Sequence, residues 1–272
     1  MSGIVLSAGV RSNLLNLQAT GDLIAQTQVR LSTGKRVNSA LDNPTNFFTA
    51  QSLNNRAGDL SGLLDSMSNA VKTIQAADNG ISAITKLVES GRALARQAIQ
   101  TTDATERSTL ATQFADIRTQ IDALAADSGY NGTNLLNGND LTVTFNEDGT
   151  STQTITSVTD TTAGDLAVAA PVGSWALDAN IQISIDATTA ALSTLRTQSK
   201  AFGSSLSTVQ ARQDFTKSMI NTLTTGADNL TLADSNEEGA NLLALQTRQQ
   251  LSTTALSLAV QSDRNVLKLF GG

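Results

Sequence analysis

Two pairs of neighbouring carboxylates are the residues in this sequence best suited to acid–base chemistry: Glu147 with Asp148, and Glu237 with Glu238. Acid–base catalysis needs such groups to converge on one substrate. Adjacent side chains on a helix or a strand point in different directions, so neither pair meets this condition. The 272-residue chain has no histidine and no cysteine, which excludes the usual catalytic triads and most zinc sites. We therefore expect no enzyme activity, no metal and no cofactor.

A Gly-Lys pair in "STGKR" is the other stretch with a familiar chemical use, since phosphate-binding loops contain such a pair. That motif also needs a glycine five residues before Gly34 and a serine or threonine directly after Lys35, and both are missing. The net charge of −6 argues against a nucleic-acid partner, because phosphate backbones need a basic surface. We expect neither a phosphate site nor nucleic-acid binding.

A long heptad pattern is the strongest structural signal in the sequence. One set of positions, spaced by seven, is Leu53, Leu60, Met67, Ile74, Ile81, Val88 and Ala95. The companion set is Ala57, Leu64, Val71, Asp78, Thr85, Arg92 and Ile99. Eleven of these fourteen positions are apolar, and such spacing keeps one stripe of a helix against a partner helix. The pattern predicts a coiled-coil helix.

Two shorter helical patterns and one β-like segment follow. Apolar residues at helical spacing in 110–124 and 192–230 complete a predicted bundle of antiparallel helices. Residues 141–186 differ, because "LTVTF" and "STQTITSV" flank the turn "NEDG", and "IQISID" alternates again further on. Alternation with a period of two around an Asp-Gly turn predicts a small β-hairpin insertion, which we expect at the surface.

The two ends of the chain are apolar helices. The N-terminal one stops at "STGKRVNSALDNPTN", where Pro44 ends the pattern and Ser39, Asp42 and Asn43 are candidate caps. Residues 240–270 contain neither glycine nor proline, and their leucines lie on more than one face. A helix that is apolar on several sides needs several neighbours, and the N-terminal helix supplies only one. Additional copies of the protein must supply the others, so the sequence predicts self-assembly.

The expected assembly surface lies on these two helices. It comprises Leu14, Leu17, Ile24, Leu31, Leu245, Leu256, Val260, Leu267 and Phe270.

Three stretches make the chain resemble bacterial flagellin: "LSTGKRVNSALDNPTNF" near the start, "YNGTNLLNG" after the second rod helix, and "ADSNEEGANLLALQTRQQLSTTALSLAVQSDRNVLKLFGG" at the end. The resemblance covers all but about 141–186, and it suggests a short form with a small variable region. It implies a structural subunit that assembles into the flagellar filament for swimming motility, outside the cell. It also implies uncleaved export through the flagellar type III apparatus. The implied partners are further copies or paralogous flagellins, a flagellin chaperone, and the cap and hook-junction proteins.

The patterns and the resemblance together predict a mainly α fold in three parts. Residues 1–40 and 236–272 form an inner coiled coil of paired terminal helices. Residues 41–140 and 187–235 form a long antiparallel coiled-coil or helical-bundle rod. Residues 141–186 form the small β insertion, exposed at the surface.

The nearest alternative is another flagellar protein, a secreted membrane-active protein would be a different class, and an extracellular enzyme comes last. A hook–filament junction protein shares the terminal signatures, although it usually lacks so complete a C-terminal match. A secreted helical membrane-active protein would use the apolar helices directly, but the basic face of a surface-seeking helix is missing. Membrane insertion is not expected, because the uncharged run 249–262 is only fourteen residues long and rich in polar side chains. Electron microscopy of the purified chain would separate these readings. Filaments would indicate a flagellin, and rings or pores would indicate a membrane-active protein.

Overall fold

A computed structural model describes residues 8–270, apart from the side chains of Asp263 and residues 266–270. Within this range the helices are α1 (Ala8–Thr33), α2 (Pro44–Ala98), α3 (Ala104–Asp127), α4 (Asp178–Thr231) and α5 (Ser235–Phe270). Two short strands, β1 (Leu141–Thr144) and β2 (Thr152–Ile155), and a 3₁₀ turn (Val172–Trp175) lie between α3 and α4. The chain divides into two compact units, Met1–Asn55 with Thr222–Gly272 (unit 1) and Arg56–Asn221 (unit 2).

The first heptad set forms the buried stripe of α2. Its members from unit 2 are all buried: Leu60, Met67, Ile74, Ile81, Val88 and Ala95. All of these except Leu60 belong to one hydrophobic cluster. The same cluster contains Phe114 and Ile121 of α3 and Leu195 and Phe202 of α4. The apolar spacing therefore identified the face of α2 that carries the core of unit 2.

The companion set is wrong in its second half, where Asp78 is exposed and Thr85 and Arg92 are half-buried. The residues that are buried instead lie three positions after the first set, not four: Ala70, Ala77, Ile84, Gly91 and Ala98. The reason is that α2 packs on two helices. Asp78 Oδ1 accepts a hydrogen bond from Ser199 Oγ of α4 at 2.9 Å, whereas a Cβ on Gly91 would lie 3.2 Å from Phe114 of α3. The heptad spacing describes packing on one partner helix, whereas α2 packs on both α3 and α4.

The order of these contacts shows that both neighbours run antiparallel to α2. On the α4 side, Ser199 meets Asp78 and Gln213 Nε2 donates to Ser68 Oγ at 3.1 Å, so the numbers run in opposite directions. On the α3 side, Gly91 faces Phe114, and Gly80 faces Ser128 at the other end of α3. A Cβ on Gly80 would lie 2.3 Å from Ser128 Oγ, so only glycine permits this approach.

Buried polar and aromatic contacts fix the start of α4. The Trp175 side chain is fully buried, donates from Nε1 to Ser184 Oγ at 3.1 Å, and lies 5.0 Å from the Phe114 ring. Arg107 of α3 donates to Asp178 Oδ1 at 2.5 Å and to the carbonyl oxygen of Ala176 at 3.3 Å. Both contacts tie the first turn of α4 to α3.

Residues 141–186 are only partly the predicted β insertion. Strands β1 and β2 pair antiparallel from Leu141↔Ile155 to Thr144↔Thr152, as expected from the Asp-Gly turn. The stretch "IQISID", however, lies within α4, so the expectation of a strand there is wrong. Its alternation is overridden by a helical pattern that continues downstream, with Ile181, Ser184 and Thr188 buried on one face.

The rest of the segment belongs to unit 2 and packs against its helices. Its apolar residues lie in the same hydrophobic cluster as the helices: Val143, Phe145, Ile155, Leu166, Val168 and Trp175. The predicted mainly α fold, with long helices, paired terminal helices and a small β element, is confirmed. The three-part division of the chain stays a prediction.

Candidate assembly surface

Helices α1 and α5 pack against each other in unit 1. The buried residues of α1 are Val10, Thr20, Ile24 and Thr27, and Leu17 is half-buried. These positions recur at steps of three, four and seven, as a coiled-coil stripe requires. Thr20 Oγ1 donates to the carbonyl oxygen of Asn16 at 2.8 Å, which satisfies its hydroxyl within the stripe. Sequence reasoning overlooked both threonines because it searched for apolar residues alone.

The matching stripe of α5 begins at the buried Glu238. It continues through half-buried residues at the same spacing: Leu242, Leu245, Ser252, Leu256 and Ala259. An open groove of about 520 Å³ borders this stripe, lined by Thr253, Leu256, Ser257, Val260, Gln261 and Arg264. One side of α5 is thus covered by its partner helix, and part of that side is still accessible.

The other faces of both helices expose large apolar side chains. On α5 these are Leu243, Leu251 and Leu258, with 66%, 66% and 63% of their surface accessible. On α1 the exposed group comprises Leu14, Leu15, Leu23, Val29 and Leu31. Single exposed leucines are ordinary, but a run of them along one helix pair marks an interaction surface.

The predicted assembly residues divide between the covered and the exposed faces. Ile24 is buried, and Leu17, Leu245, Leu256 and Val260 are half-buried. Leu14 and Leu31 are exposed. Leu267 and Phe270 fall in α5, but their side chains lie outside the described part of the structure. The structure adds Leu251 and Leu258, which the sequence placed on a second face without singling them out, and Leu243, which the sequence reading did not place.

The segment that follows α1 and the segment that precedes α5 form a compact joint at the facing ends of these two helices. Gly34 ends α1 with a φ of +67°, a conformation that favours glycine. Its carbonyl oxygen accepts from the amide of Ala233 at 3.0 Å, and the amides of Arg36 and Val37 donate to Thr231 at 2.7 and 3.2 Å. The segments before α2 and before α5 are therefore hydrogen-bonded side by side.

Of the three predicted caps, Ser39, Asp42 and Asn43, only Asn43 caps a helix. Asn43 Oδ1 accepts from the amide of Asn46 at 3.0 Å and caps α2, with Pro44 as its first residue. Asp42 does not cap the helix. Its Oδ2 accepts from the amides of Asn38 and Ser39 at 3.0 and 2.9 Å, and these bonds lower the pKa of that carboxyl.

Both candidate carboxylate pairs contain one residue held by an arginine. Glu238 accepts from Arg30 Nη1 at 3.1 Å, and Glu147 pairs with Arg56. Their neighbours Glu237 and Asp148 are exposed. Among the described residues there is no group of three or more acidic side chains arranged to hold a metal ion.

None of the helices within residues 8–270 combines the length and the hydropathy that crossing a bilayer requires.

The chain is similar to known proteins over almost its whole length. Residues 8–140 match the family model described as the bacterial flagellin N-terminal helical region. Flagellin FljM of Caulobacter vibrioides is 31% identical over 273 residues, with 99% of each chain covered. A flagellin of Brucella melitensis is 28% identical over 285 residues, with 100% of each covered. The crystal structure of Bacillus cereus flagellin overlaps 57% of this chain and 88% of its own, with 21% identity and a TM-score of 0.47.

The subunit is mainly helical with paired terminal helices, and the full-length similarity shows that the chain belongs to the flagellin family. It is a structural subunit of the bacterial flagellar filament, located outside the cell. The predictions of family, function and location are confirmed. Membership of the family also implies assembly with further copies or with paralogous flagellins.

Proposed function

We propose that the apolar faces of α1 and α5 are the surfaces by which this subunit joins its filament. The stripe from Val10 to Thr27 would hold the two helices of one subunit together. The opposite leucine face of α5, and the exposed residues Leu14 and Leu31 of α1, would contact other copies. Leu267 and Phe270 are proposed to extend the same surface.

The single observation that supports this proposal is the exposure of Leu243, Leu251 and Leu258 on a helix already paired with α1. Burying one leucine contributes about 1.5–3 kcal/mol. Three such residues per subunit, repeated along a filament, would stabilise each added copy by several kcal/mol. The occupant of this face is a second copy of the chain, because the protein is a filament subunit.

Polymerisation of the purified full-length chain tests the proposal. A variant with serine at positions 243, 251 and 258 should remain monomeric, while the unmodified chain forms filaments visible by electron microscopy. A matched control replaces the exposed polar residues Thr247, Gln250 and Thr254 of the same helix by serine, and it should polymerise. Filaments of normal yield and heat resistance from the leucine variant would refute the proposed surface.

The domain division and the finer partners belong to the same proposal. Terminal residues 1–40 and 236–272 would line the inside of the filament, with 41–140 and 187–235 as the rod around them. The flagellar type III export apparatus, a flagellin chaperone, and the cap and hook-junction proteins are the further partners we propose. Support for these comes only from the family to which the chain belongs.

A non-catalytic role is the remaining part of the proposal. Membership of a family of structural proteins supports it. The ion pairs of Glu147 and Glu238 with arginines also support it, because they give these carboxylates a structural use. Incubation of the chain with general esterase, glycosidase and peptidase substrates should show no turnover above the buffer rate.

A further inference from the structure

A buried carboxyl group in unit 2 has no hydrogen-bonding partner. The side chain of Asp160 is completely buried, and neither of its oxygens is hydrogen-bonded. Most buried polar groups in proteins are paired, since leaving one unpaired costs about 1–3 kcal/mol, and more for a charge. An ionised Asp160 would therefore be strongly disfavoured in this position.

Gln198 of α4 lies beside this carboxyl group. Its side chain is within hydrogen-bonding reach of Asp160, and its own Oε1 is also buried without a donor. The amide group of Gln198 is the donor within reach, and its hydrogen bond to the ionised carboxyl lowers the pKa of Asp160, but burial has the larger effect. A proton on Asp160 removes the buried charge and lets the carboxyl donate to an acceptor such as Gln198 Oε1. Burial, the largest cause, raises the pKa of Asp160 to about 6.

The segment that carries Asp160 is fastened to the rest of unit 2 on its other side. The amides of Val158 and Asp160 donate to the carbonyl oxygens of Leu135 and Leu136 at 2.8 and 3.0 Å. Thr162 donates from its amide and hydroxyl to Asp122 of α3 at 2.6 and 2.9 Å. On the side that faces α4, Asp160 lies beside Gln198. Both oxygens of Asp160 and Oε1 of Gln198 are buried without a hydrogen-bonding partner.

The charges around Asp160 add a smaller effect. Asp165 on the same segment accepts from the amide of Thr159 at 2.8 Å, and its charge also raises the pKa of Asp160. Helix α3 presents Arg118 and Asp122 to Thr162, one positive and one negative group. Helix α4 presents the neutral Gln198, and the residues at 134–139 that receive the segment carry no charge.

We propose that Asp160 and Gln198 form a proton-dependent latch, which holds residues 157–168 against α4 when Asp160 is uncharged and loosens when it ionises. The latch does not depend on the assembly surface, because all its residues lie within unit 2.

The sign of the pH effect follows from the direction of the shift. An aspartate with an ordinary pKa of 3.8 in the unfolded chain and about 6 in the folded one binds more protons when folded. The stabilisation is complete below pH 3.8 and is lost as the pH rises through about 6. Across this range the folding equilibrium should weaken by up to roughly a hundred-fold through this group alone.

Two measurements on the full-length monomer test the latch. Asp160→Asn keeps the shape but removes the charge, so its stability relative to the unmodified chain should rise as the pH goes from about 4 to about 6. Asp148→Asn removes the same charge at an exposed turn position and should show no such trend. A parallel pH profile for Asp160→Asn and the unmodified chain would overturn the proposal.

Carboxyl-carbon NMR of the unmodified chain gives an answer even where the variant fails to fold. The Asp160 signal should titrate near pH 6, and amide exchange at Val158 and Asp160, corrected for intrinsic rates, should accelerate above that pH. Titration near pH 4, or exchange rates that do not change, would overturn the latch.

Discussion

Arg30 near the end of α1 donates from Nη1 to Glu238 Oε1 in the first turn of α5, at 3.1 Å. Only 8% of the Glu238 side chain is accessible, against 27% for Arg30. The pair therefore lies at the edge of the α1–α5 stripe, beside the joint at Gly34 and Ala233. It links the two terminal helices at this end.

Breaking this ion pair should weaken the pairing of α1 with α5. Glu238→Gln leaves the partly buried Arg30 without its counter-charge, which we expect to cost about 1–3 kcal/mol. The measurement is amide exchange in α1 of the monomer, which should become faster. Glu237→Gln is the matched control, because it removes the same charge from the same helix turn at an exposed position. Equal exchange rates in the two variants would mean that the ion pair does not hold the helices.

The close approach of α2 and α3 predicts opposite effects for two glycine substitutions. Gly62→Ala should stabilise the chain by about 1 kcal/mol, because nothing lies within 4 Å of the new Cβ and alanine favours helix. Gly80→Ala should destabilise it, since the new Cβ would meet Ser128 and Leu136 at under 3 Å. Thermal unfolding of both variants checks this, and a rise in melting temperature for Gly80→Ala would contradict the packing described.

The buried stripe of α2 makes a quantitative prediction for the core. Ile74→Ala, Ile81→Ala and Ile84→Ala should each cost about 2–5 kcal/mol, through lost burial and the cavity left behind. Ile183→Ala on α4 is the control, because its side chain is about half exposed. Denaturant midpoints of the monomer give the free energies. If Ile84→Ala lowered the free energy of unfolding as little as Ile183→Ala, the companion set predicted from sequence would describe the core better than the buried set found here.

Replacing part of the β segment distinguishes its exposed turn from its buried base. Exchange of residues 148–150 for a Gly-Ser loop should leave folding and polymerisation intact, since these positions are exposed. Exchange of the whole of 146–165 should destabilise unit 2, because Ile155 is buried there and Thr162 is both buried and hydrogen-bonded to Asp122 of α3. Circular dichroism with sedimentation of polymer reports both outcomes. A stable monomer after the longer exchange would contradict the buried position of this segment.

The sequence predicted the long helices and the first stripe of α2 because both depend on local periodicity. The residue spacing did not reveal that α2 packs on two helices, so the companion set runs through the polar Asp78 and Arg92 and omits the buried Ala77 and Gly91. A small residue that permits close approach carries no hydrophobic signal. Its role emerges only when a neighbour such as Phe114 is placed against it.

The assembly surface was predicted in outline but not residue by residue. Apolar counting found Ile24 and Leu256, yet it missed the buried residues Thr20 and Thr27. The methyl group of a threonine suits a tight stripe, and the Thr20 hydroxyl bonds within the helix. The strand expected at "IQISID" is wrong because Ile181 and Ile185, four residues apart, also share one face of a helix, and Ile183 on the other face is exposed. The packing of Trp175 against Phe114 of α3, a contact between residues distant in sequence, helps to fix this part of the chain as the start of α4.

Thiol labelling tests the central claim most directly, because the natural chain contains no cysteine. Leu251→Cys places a single reactive group on the exposed leucine face of α5, and Asp148→Cys places one on the exposed β turn. The account predicts that a maleimide modifies both residues rapidly in the monomer. In assembled filaments, Cys at 148 should still react and Cys at 251 should be protected. Equal labelling at 251 in monomer and filament, with filaments intact, would contradict the claim that this face is buried by other copies.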